Sequence, residues 1–314
     1  MRIAPLLVAV VVSSPALAQS RFTANPDSAR LVTSDIPLFW SAFDRASPTD
    51  GGAIFQHDYI DRGSQGVKDF IPGRIVNGEQ LAKLVAARRH YYEAIRANTL
   101  SIANDDAIRD SIRVAFHRLK ALYPAAVFPD VYFVIGRMNS GGTSSDRGLI
   151  IGAEMNARDD STPVGELDSW AKAVTGRLSD LPHIVAHELI HFQQAPLRDR
   201  TLLAESMREG APDFIAEMIS GKHINAVAAQ YGNAHEAALW NEFKAAMHGT
   251  DTGKWLYQGD KSVDRPADLG YWMGYTICAA YYKRAADKTA ALAAIIRMDD
   301  PAKILAESGY DAGA

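Results

Sequence analysis

The chain has 314 residues, of which 47% are hydrophobic and 22% charged, a composition typical of globular proteins and not of disordered or coiled-coil chains. Its formal net charge is −4, which argues against a protein that coats nucleic acid or binds anionic membranes through a basic face. The single cysteine, Cys278, excludes an internal disulfide and a cysteine-rich metal site, so any metal must be held mainly by histidine, aspartate or glutamate.

The first residues have the pattern of a secretory signal peptide. Met1 and Arg2 give a positive start, residues 3–12 form a short apolar run, and small residues precede and include Ala18. We predict cleavage after Ala18 and export of the mature protein to the periplasm or the medium. This run is shorter than the ~20 apolar residues of a membrane span. No later run is long and apolar enough to cross a membrane, so we expect no span in the mature chain.

Residues 19–125 are predicted to form an N-terminal helical region. Residues 20–77 are rich in Pro, Gly, Asp and Ser, and are either an inhibitory segment or part of the fold. We predict three helices in this region, over 39–45, 79–100 and 105–122, with loops and turns from the first of them to about residue 77.

Residues 126–314 are predicted to form a second, catalytic domain. Two β-branched and aromatic segments, 130–135 and 148–152, predict strands of a small sheet joined by a flexible loop over 139–145. The rest of this region is predicted to be helical, over 166–174, 181–194, 201–219, 233–247, 270–286 and 288–296. The fold class is therefore α+β, mostly helical with a small sheet.

The helix over 181–194 contains the sequence His187-Glu188-x-x-His191. Helix positions four apart share a face, so two imidazoles can point at one metal ion, with Glu188 beside the metal where a general base for metal-bound water must lie. The alternative is a pair of surface histidines. Apolar neighbours favour a buried helix, in which unpaired imidazoles would be costly and a metal would remove that cost.

A catalytic zinc ion takes three protein ligands and keeps one open position. Candidates for the third ligand lie downstream: Glu205, Glu209, Asp213, Glu217 and His223. We favour Glu209, with Asp213 one turn later as an outer carboxylate that accepts a hydrogen bond from a ligand imidazole. Gly210 and Pro212 are unfavourable in a plain helix and so suggest a site here, while Glu205 and Glu217 remain alternatives.

Peptide hydrolysis at zinc also needs a donor to the developing oxyanion. Tyr271 and Tyr275 lie four apart on the predicted helix 270–286, and either hydroxyl is a candidate, with Tyr275 slightly favoured. The alternative is that both rings are packing residues. A second His-Glu pair, His235-Glu236, has Leu239 where a histidine would complete the motif, and we interpret it as surface.

The motif His187-Glu188-x-x-His191, followed by Glu209-Gly210, resembles the gluzincin zinc metallopeptidases. Within them the chain looks most like a bacterial family of predicted zinc-dependent proteases known as a domain of unknown function (DUF2268), distantly similar to GldB-type gliding-motility proteins. Segments 34–40 and 59–71 also resemble that group. The chain departs from the pattern at Pro212, where these families usually have another residue.

The resemblance implies a zincin-like fold, one Zn²⁺ ion, ligands at His187, His191 and Glu209, and a catalytic base at Glu188. Together with the residues above, it predicts an exported zinc metallopeptidase that acts on a peptide or protein substrate. The alternative is an exported, non-catalytic binding or envelope-assembly protein that retains a metal site. A third possibility is a metal-dependent hydrolase of a non-peptide bond.

Overall fold

A computed structural model describes residues 22–311, so the predicted signal peptide over residues 1–18 lies outside the described residues. The predicted α+β class is confirmed, because the chain is mostly helical and carries one small mixed sheet. None of the helices between residues 22 and 311 combines the length and the hydropathy that a membrane crossing requires.

The sheet has four short strands in the order β1-β2-β4-β3. The strands are β1 (Leu31–Val32), β2 (Asp130–Val134), β3 (Gly142–Ser144) and β4 (Gly148–Gly152). β1, β2 and β4 are parallel, and β3 runs antiparallel to β4 at the edge. β4 is buried throughout, as expected of a strand covered on both faces. The loop predicted over 139–145 was therefore wrong in part, since it contains β3.

The helices before β2 hold the N-terminal region against the sheet. They are α1 (Asp35–Arg45), α2 (Gly51–Ile54), α3 (Gln65–Phe70), α4 (Gly78–Ala87), α5 (Arg89–Asn104) and α6 (Asp106–Leu122), with π-helical turns over Phe55–Ile60 and Ile71–Ile75. The expectation of loops up to residue 77 was wrong, because Phe55, Tyr59 and Phe70 are buried in the core and draw this segment into short helices. The described part of residues 20–77 is thus part of the fold.

The helices after β4 carry the candidate site. They are α7 (Ser169–Val174), α8 (Leu181–Gln193), α9 (Leu202–Ser220), α10 (Ala226–Ala234), α11 (Glu236–Ala246), α12 (Leu269–Arg284), α13 (Lys288–Arg297) and α14 (Pro301–Ser308). The predicted helices 79–100 and 233–247 are each two helices in the structure, with breaks at Arg88 and His235. The domain boundary at 125/126 stays a prediction, although β1 from the first region pairs with β2 from the second.

Helices α9 and α12 cross at two glycines with their backbones in contact. A Cβ atom on Gly210 would lie 2.1 Å from the Tyr275 backbone nitrogen, and one on Gly274 would lie 1.9 Å from the Ser206 carbonyl oxygen. Both positions therefore require glycine for close approach, despite its low helix propensity. Gly210 is explained by this helix packing, and not by the metal site that its sequence context suggested.

We expect Gly274→Ala to destabilise the fold by about 3 kcal/mol, at the upper end of overpacking costs, because the clash is with backbone that cannot rotate away. Gly165→Ala is the matched control, since a Cβ there would meet nothing within 4 Å. Urea unfolding of both variants measures the difference. Equal stability of the two variants would contradict the close crossing of α9 and α12.

One fully buried carboxylate lies just beyond β4. Glu154 accepts a hydrogen bond at Oε1 from the Met138 backbone at 3.1 Å, and among the described residues its Oε2 atom has no hydrogen-bond partner. Three tyrosine hydroxyls hold the surrounding backbone by donating to the carbonyl oxygens of Ile135, Gly136 and Glu154. Burial raises the pKa of Glu154 to about 7, against backbone hydrogen bonds that lower it.

This raised pKa predicts that stability falls as pH rises. A glutamate in the unfolded chain has a pKa near 4.5, so folding favours the proton between that pH and about 7. The stabilisation of the protonated form is complete below the lower value and is lost through the higher one, by roughly 3 kcal/mol. Glu154→Gln should remove this dependence in urea titrations from pH 4.5 to 8, whereas Glu307→Gln, on the exposed face of α14, should retain it. A Glu154→Gln profile parallel to the parent profile would refute the assignment.

Candidate metal centre

Helix α8 brings two imidazoles together in the interior. His187 and His191 lie one turn apart, their ring centroids are 4.7 Å apart, and His187 is buried. The helix has Pro182 in its first turn, and several of its faces carry buried apolar residues. Packing of these residues fixes the orientation of the helix in the core. The sequence prediction of a buried helix, and not a surface one, is confirmed for this segment.

Helix α9 supplies a carboxylate that faces these imidazoles. Glu209 is buried, and its Oε2 atom lies 3.2 Å from Nε2 of His191. One ligand atom from each of His187, His191 and Glu209 lies within 4.8 Å of the other two. We call these three residues the His–His–Glu cluster. Two imidazole nitrogens and one carboxylate oxygen form a donor set that suits Zn²⁺, so the residues fit the ion that the sequence predicted.

The outer atoms of both imidazoles are already engaged. Nδ1 of His187 lies 2.8 Å from Oδ1 of Asp213, and Asn225 donates to the other oxygen of that carboxylate at 2.6 Å. Nδ1 of His191 lies 2.8 Å from Oε1 of Gln194. Partners of this kind fix the tautomer of a ligand histidine and leave its Nε2 atom for a metal. Asp213 thus stands behind His187, in the position that the sequence analysis assigned to it.

Electrostatics in the cluster favour positive charge. Burial opposes protonation of His187, but the hydrogen bond and charge of Asp213 outweigh it and raise the pKa of His187 to about 9. For Glu209, burial acts to raise the pKa, but the hydrogen bond from His191 and the neighbouring imidazoles lower it to about 2. The protein therefore stabilises the Glu209 carboxylate and a positive charge on His187, a preference that a divalent cation would also satisfy.

Glu188 lies beside the cluster and faces the sheet edge. A Cβ on Gly142 of β3 would lie 2.4 Å from its Oε1 atom, so only glycine at that strand position leaves room for this carboxylate. Its negative charge, after that of Asp213, helps to raise the pKa of His187. The structure thus brings Glu188 next to the cluster without placing it among the three grouped donors.

The two predicted tyrosines lie in different surroundings. The ring of Tyr271 stacks near His187, with ring centroids 6.5 Å apart. Tyr275 instead donates its hydroxyl to Oε2 of Glu217 at 2.8 Å and packs against His223, with ring centroids 5.0 Å apart. Of these two tyrosines, Tyr271 is the one whose ring stacks near an imidazole of the His–His–Glu cluster.

A third tyrosine, which the sequence analysis missed, touches the cluster directly. Tyr257 donates its hydroxyl to Oε1 of Glu209 at 2.8 Å, and burial together with this carboxylate raises the pKa of the phenol, which keeps it a donor. It lies in an irregular segment between α11 and α12 and has a left-handed backbone with φ +58°. Neither helical nor strand periodicity marks such a residue, so the sequence offered no signal for it.

The alternative third ligands are engaged elsewhere. Glu205 pairs with Arg200 at 2.6 Å, and Glu217 receives the hydroxyl of Tyr275. His223 accepts a hydrogen bond at Nδ1 from the Asn225 backbone. Glu209 is therefore the residue of α9 that the structure groups with the two histidines.

The chain matches a known protein family. The profile of a family described as gliding motility protein GldB matches residues 55–312, which is more than half of the chain and includes the whole His–His–Glu cluster. No curated protein and no solved structure matches the chain.

This match corrects the predicted function. The prediction of a zinc metallopeptidase that hydrolyses peptide bonds is wrong, because the matched family is one of gliding motility proteins and not of peptidases. The match supports the alternative, a non-catalytic envelope-assembly protein, and confirms the distant similarity to GldB-type proteins. The closer resemblance to DUF2268 and the zincin-like assignment of the fold gain no support from it.

The contact of Tyr257 with Glu209 predicts an effect on metal affinity. Tyr257→Phe removes the donor that holds Oε1, so Glu209 should lose its fixed orientation and the affinity of the chain for Zn²⁺ should fall by about tenfold, as for other outer partners of ligands. Competition with a zinc-binding dye measures this change.

Tyr310→Phe provides a matched control. It removes a similar tyrosine–glutamate hydrogen bond, 2.9 Å from the Tyr310 hydroxyl to Oε1 of Glu236, outside the cluster. Its zinc affinity should equal that of the parent protein. An unchanged affinity in Tyr257→Phe would show that this hydroxyl does not hold a ligand.

Proposed function

Because the chain belongs to the family of the gliding motility protein GldB, we propose that it is a non-catalytic exported protein that helps to assemble an envelope structure of the kind used in gliding motility. We propose further that it holds one Zn²⁺ ion in the His–His–Glu cluster. The observation that carries the proposal is the family match over residues 55–312, within which the cluster lies.

The proposed ion connects helices α8 and α9. His187 and His191 lie on α8, Glu209 lies on α9, and all three are at least partly buried. When bound, Zn²⁺ supplies a compact positive charge and prefers four ligands, so three side chains leave one position for a donor from outside the cluster. In an assembly protein, a side chain of a partner protein can supply that fourth donor. Binding of the partner would then also stabilise the zinc-bound fold.

Other groups near the cluster support a cation without a hydrolytic role. Glu188 adds negative charge beside His187, and Asp213 and Gln194 orient the two imidazoles. Each of these residues acts by charge or by hydrogen bonding on the cluster. Export is supported by the sequence pattern of residues 1–18.

The proposal predicts one zinc ion per chain and a stability that depends on it. A metal at a concentration of 100 times its Kd stabilises the folded protein by about 2.7 kcal/mol. Removal with a chelator should therefore lower Tm by several degrees, and added Zn²⁺ should restore it. Elemental analysis and thermal unfolding of the exported chain measure both quantities.

Histidine variants show whether the zinc ion is bound at the cluster. His187→Ala and His191→Ala should abolish zinc binding and the response to chelator, whereas His235→Ala, at the exposed second His-Glu pair, should retain both. A protein that is purified without stoichiometric metal and is not stabilised by added Zn²⁺ would contradict the metal assignment.

A peptide-cleavage assay tests the non-catalytic part of the proposal separately. The zinc-loaded protein and its Glu188→Gln variant should leave a peptide library equally intact. Cleavage by the parent protein that a chelator stops and that Glu188→Gln lacks would overturn the non-catalytic function.

A further inference from the structure

Helix α9 contains a proline in its interior, three residues after the proposed ligand Glu209. Pro212 is buried among regular helical residues, where a proline normally weakens a helix. It has no N–H group, and its ring pushes against the carbonyl four residues earlier, which belongs to Arg208. The Arg208 carbonyl therefore lacks the intrahelical donor that every other residue type at 212 would provide.

A side chain from the end of α8 takes the place of that donor. Nε2 of Gln194 donates to the Arg208 carbonyl oxygen at 2.9 Å. The backbone N–H of Gln194 bonds to the carbonyls of Ile190 and His191, so the residue is fixed at the end of its own helix. The missing N–H of Pro212 thus creates an acceptor to which Gln194 binds.

This hydrogen bond determines which way the Gln194 amide points. A carbonyl can only accept, so the NH₂ group of the amide must face Arg208 and the amide oxygen must face the other way. That oxygen, Oε1, lies 2.8 Å from Nδ1 of His191. Because an amide oxygen also only accepts, Nδ1 of His191 must carry a proton and donate it to Gln194. Nε2 is then the ring atom that faces Glu209, 3.2 Å from its Oε2 atom, and it is the atom that would give up its proton to bind a metal.

We propose that Pro212 is a positioning residue for His191, and that it acts through the Arg208 carbonyl and the Gln194 amide. The inference rests on the proposed metal-binding function for its consequence, but the predicted hydrogen bond from Nδ1 of His191 to Gln194 does not need a metal. It explains why the chain keeps a proline at a helix position that local propensity disfavours.

We call this path from Pro212 through the Arg208 carbonyl and the Gln194 amide to His191 the relay. It makes a prediction that a purely structural role of Pro212 does not make. Pro212→Ala restores an N–H that can close the helical hydrogen bond to Arg208, so the helix should become at least as stable, while Gln194 loses its acceptor. Thermal stability of the metal-free protein should therefore stay or rise, and zinc affinity should fall by about tenfold. If Pro212 served packing alone, the substitution would lower stability and leave zinc affinity unchanged.

Two glutamine variants of the full chain test the middle of the relay. Gln194→Leu should weaken Zn²⁺ binding by about tenfold or more in a competition titration. Gln193→Leu is the matched control, because its amide bonds to the backbone of Val127 and not to His191. Its zinc affinity should equal that of the parent protein, and a loss equal to that of Gln194→Leu would overturn the proposal.

A double variant tests whether Pro212 acts through Gln194. Residues in one hydrogen-bond network give non-additive effects, so Pro212→Ala combined with Gln194→Leu should bind zinc no more weakly than Gln194→Leu alone. Additive losses would show that the two residues act separately and would overturn the relay.

The Nδ1–H group of His191 provides a readout without metal. In metal-free protein, NMR should detect a slowly exchanging Nδ1 proton of His191 in the parent protein, because Gln194 accepts it, and should find this proton in fast exchange with water in Pro212→Ala and Gln194→Leu. Equally slow exchange in both variants would overturn the relay. Absence of zinc binding in the parent protein would instead refute the proposed function, and the exchange measurement would still decide this inference.

Discussion

The structure of the site depends on how three polar side chains of α8 and α9, two of them buried and one partly buried, are paired with hydrogen-bond partners. Burial of two imidazoles and a carboxylate is unfavourable unless each group is paired. Asp213, Gln194 and Tyr257 pair with the outer atoms of the three side chains, each at 2.8 Å. The inner atoms then face one another, and a cation is the species that can satisfy all of them at once.

This arrangement separates metal binding from reaction chemistry. The spacing of His187 and His191 on a helix, with a carboxylate from the next helix, brings together three donors of the kind that hold a metal ion. It does not specify what the ion does there, because the same donors serve structural and reactive sites. The family match over residues 55–312 therefore favours the non-catalytic alternative among the functions that the motif leaves open.

The sequence predicted the elements whose periodicity is strong. The helix at 105–122 and the grouping of the metal-ligand candidates follow from helical spacing, and the strands at 130–135 and 148–152 follow from their β-branched and aromatic composition. It did not predict β3, which is three residues long and has no alternating apolar pattern, because pairing with β4 alone defines it. Tyr257 was missed because its position depends on a left-handed backbone in an irregular segment, which only tertiary contacts can specify.

Two residues around the cluster run against local backbone preference. Pro212 interrupts the hydrogen bonding of α9, and Tyr257 has a conformation that favours glycine. Tyr257 donates to Glu209, and Pro212 provides no helical hydrogen bond to the Arg208 carbonyl that accepts from Gln194. A redesign of this chain toward ideal local propensities would replace both residues and would yield a more heat-resistant protein with an impaired centre, which is the trade-off between stability and function expected at functional sites.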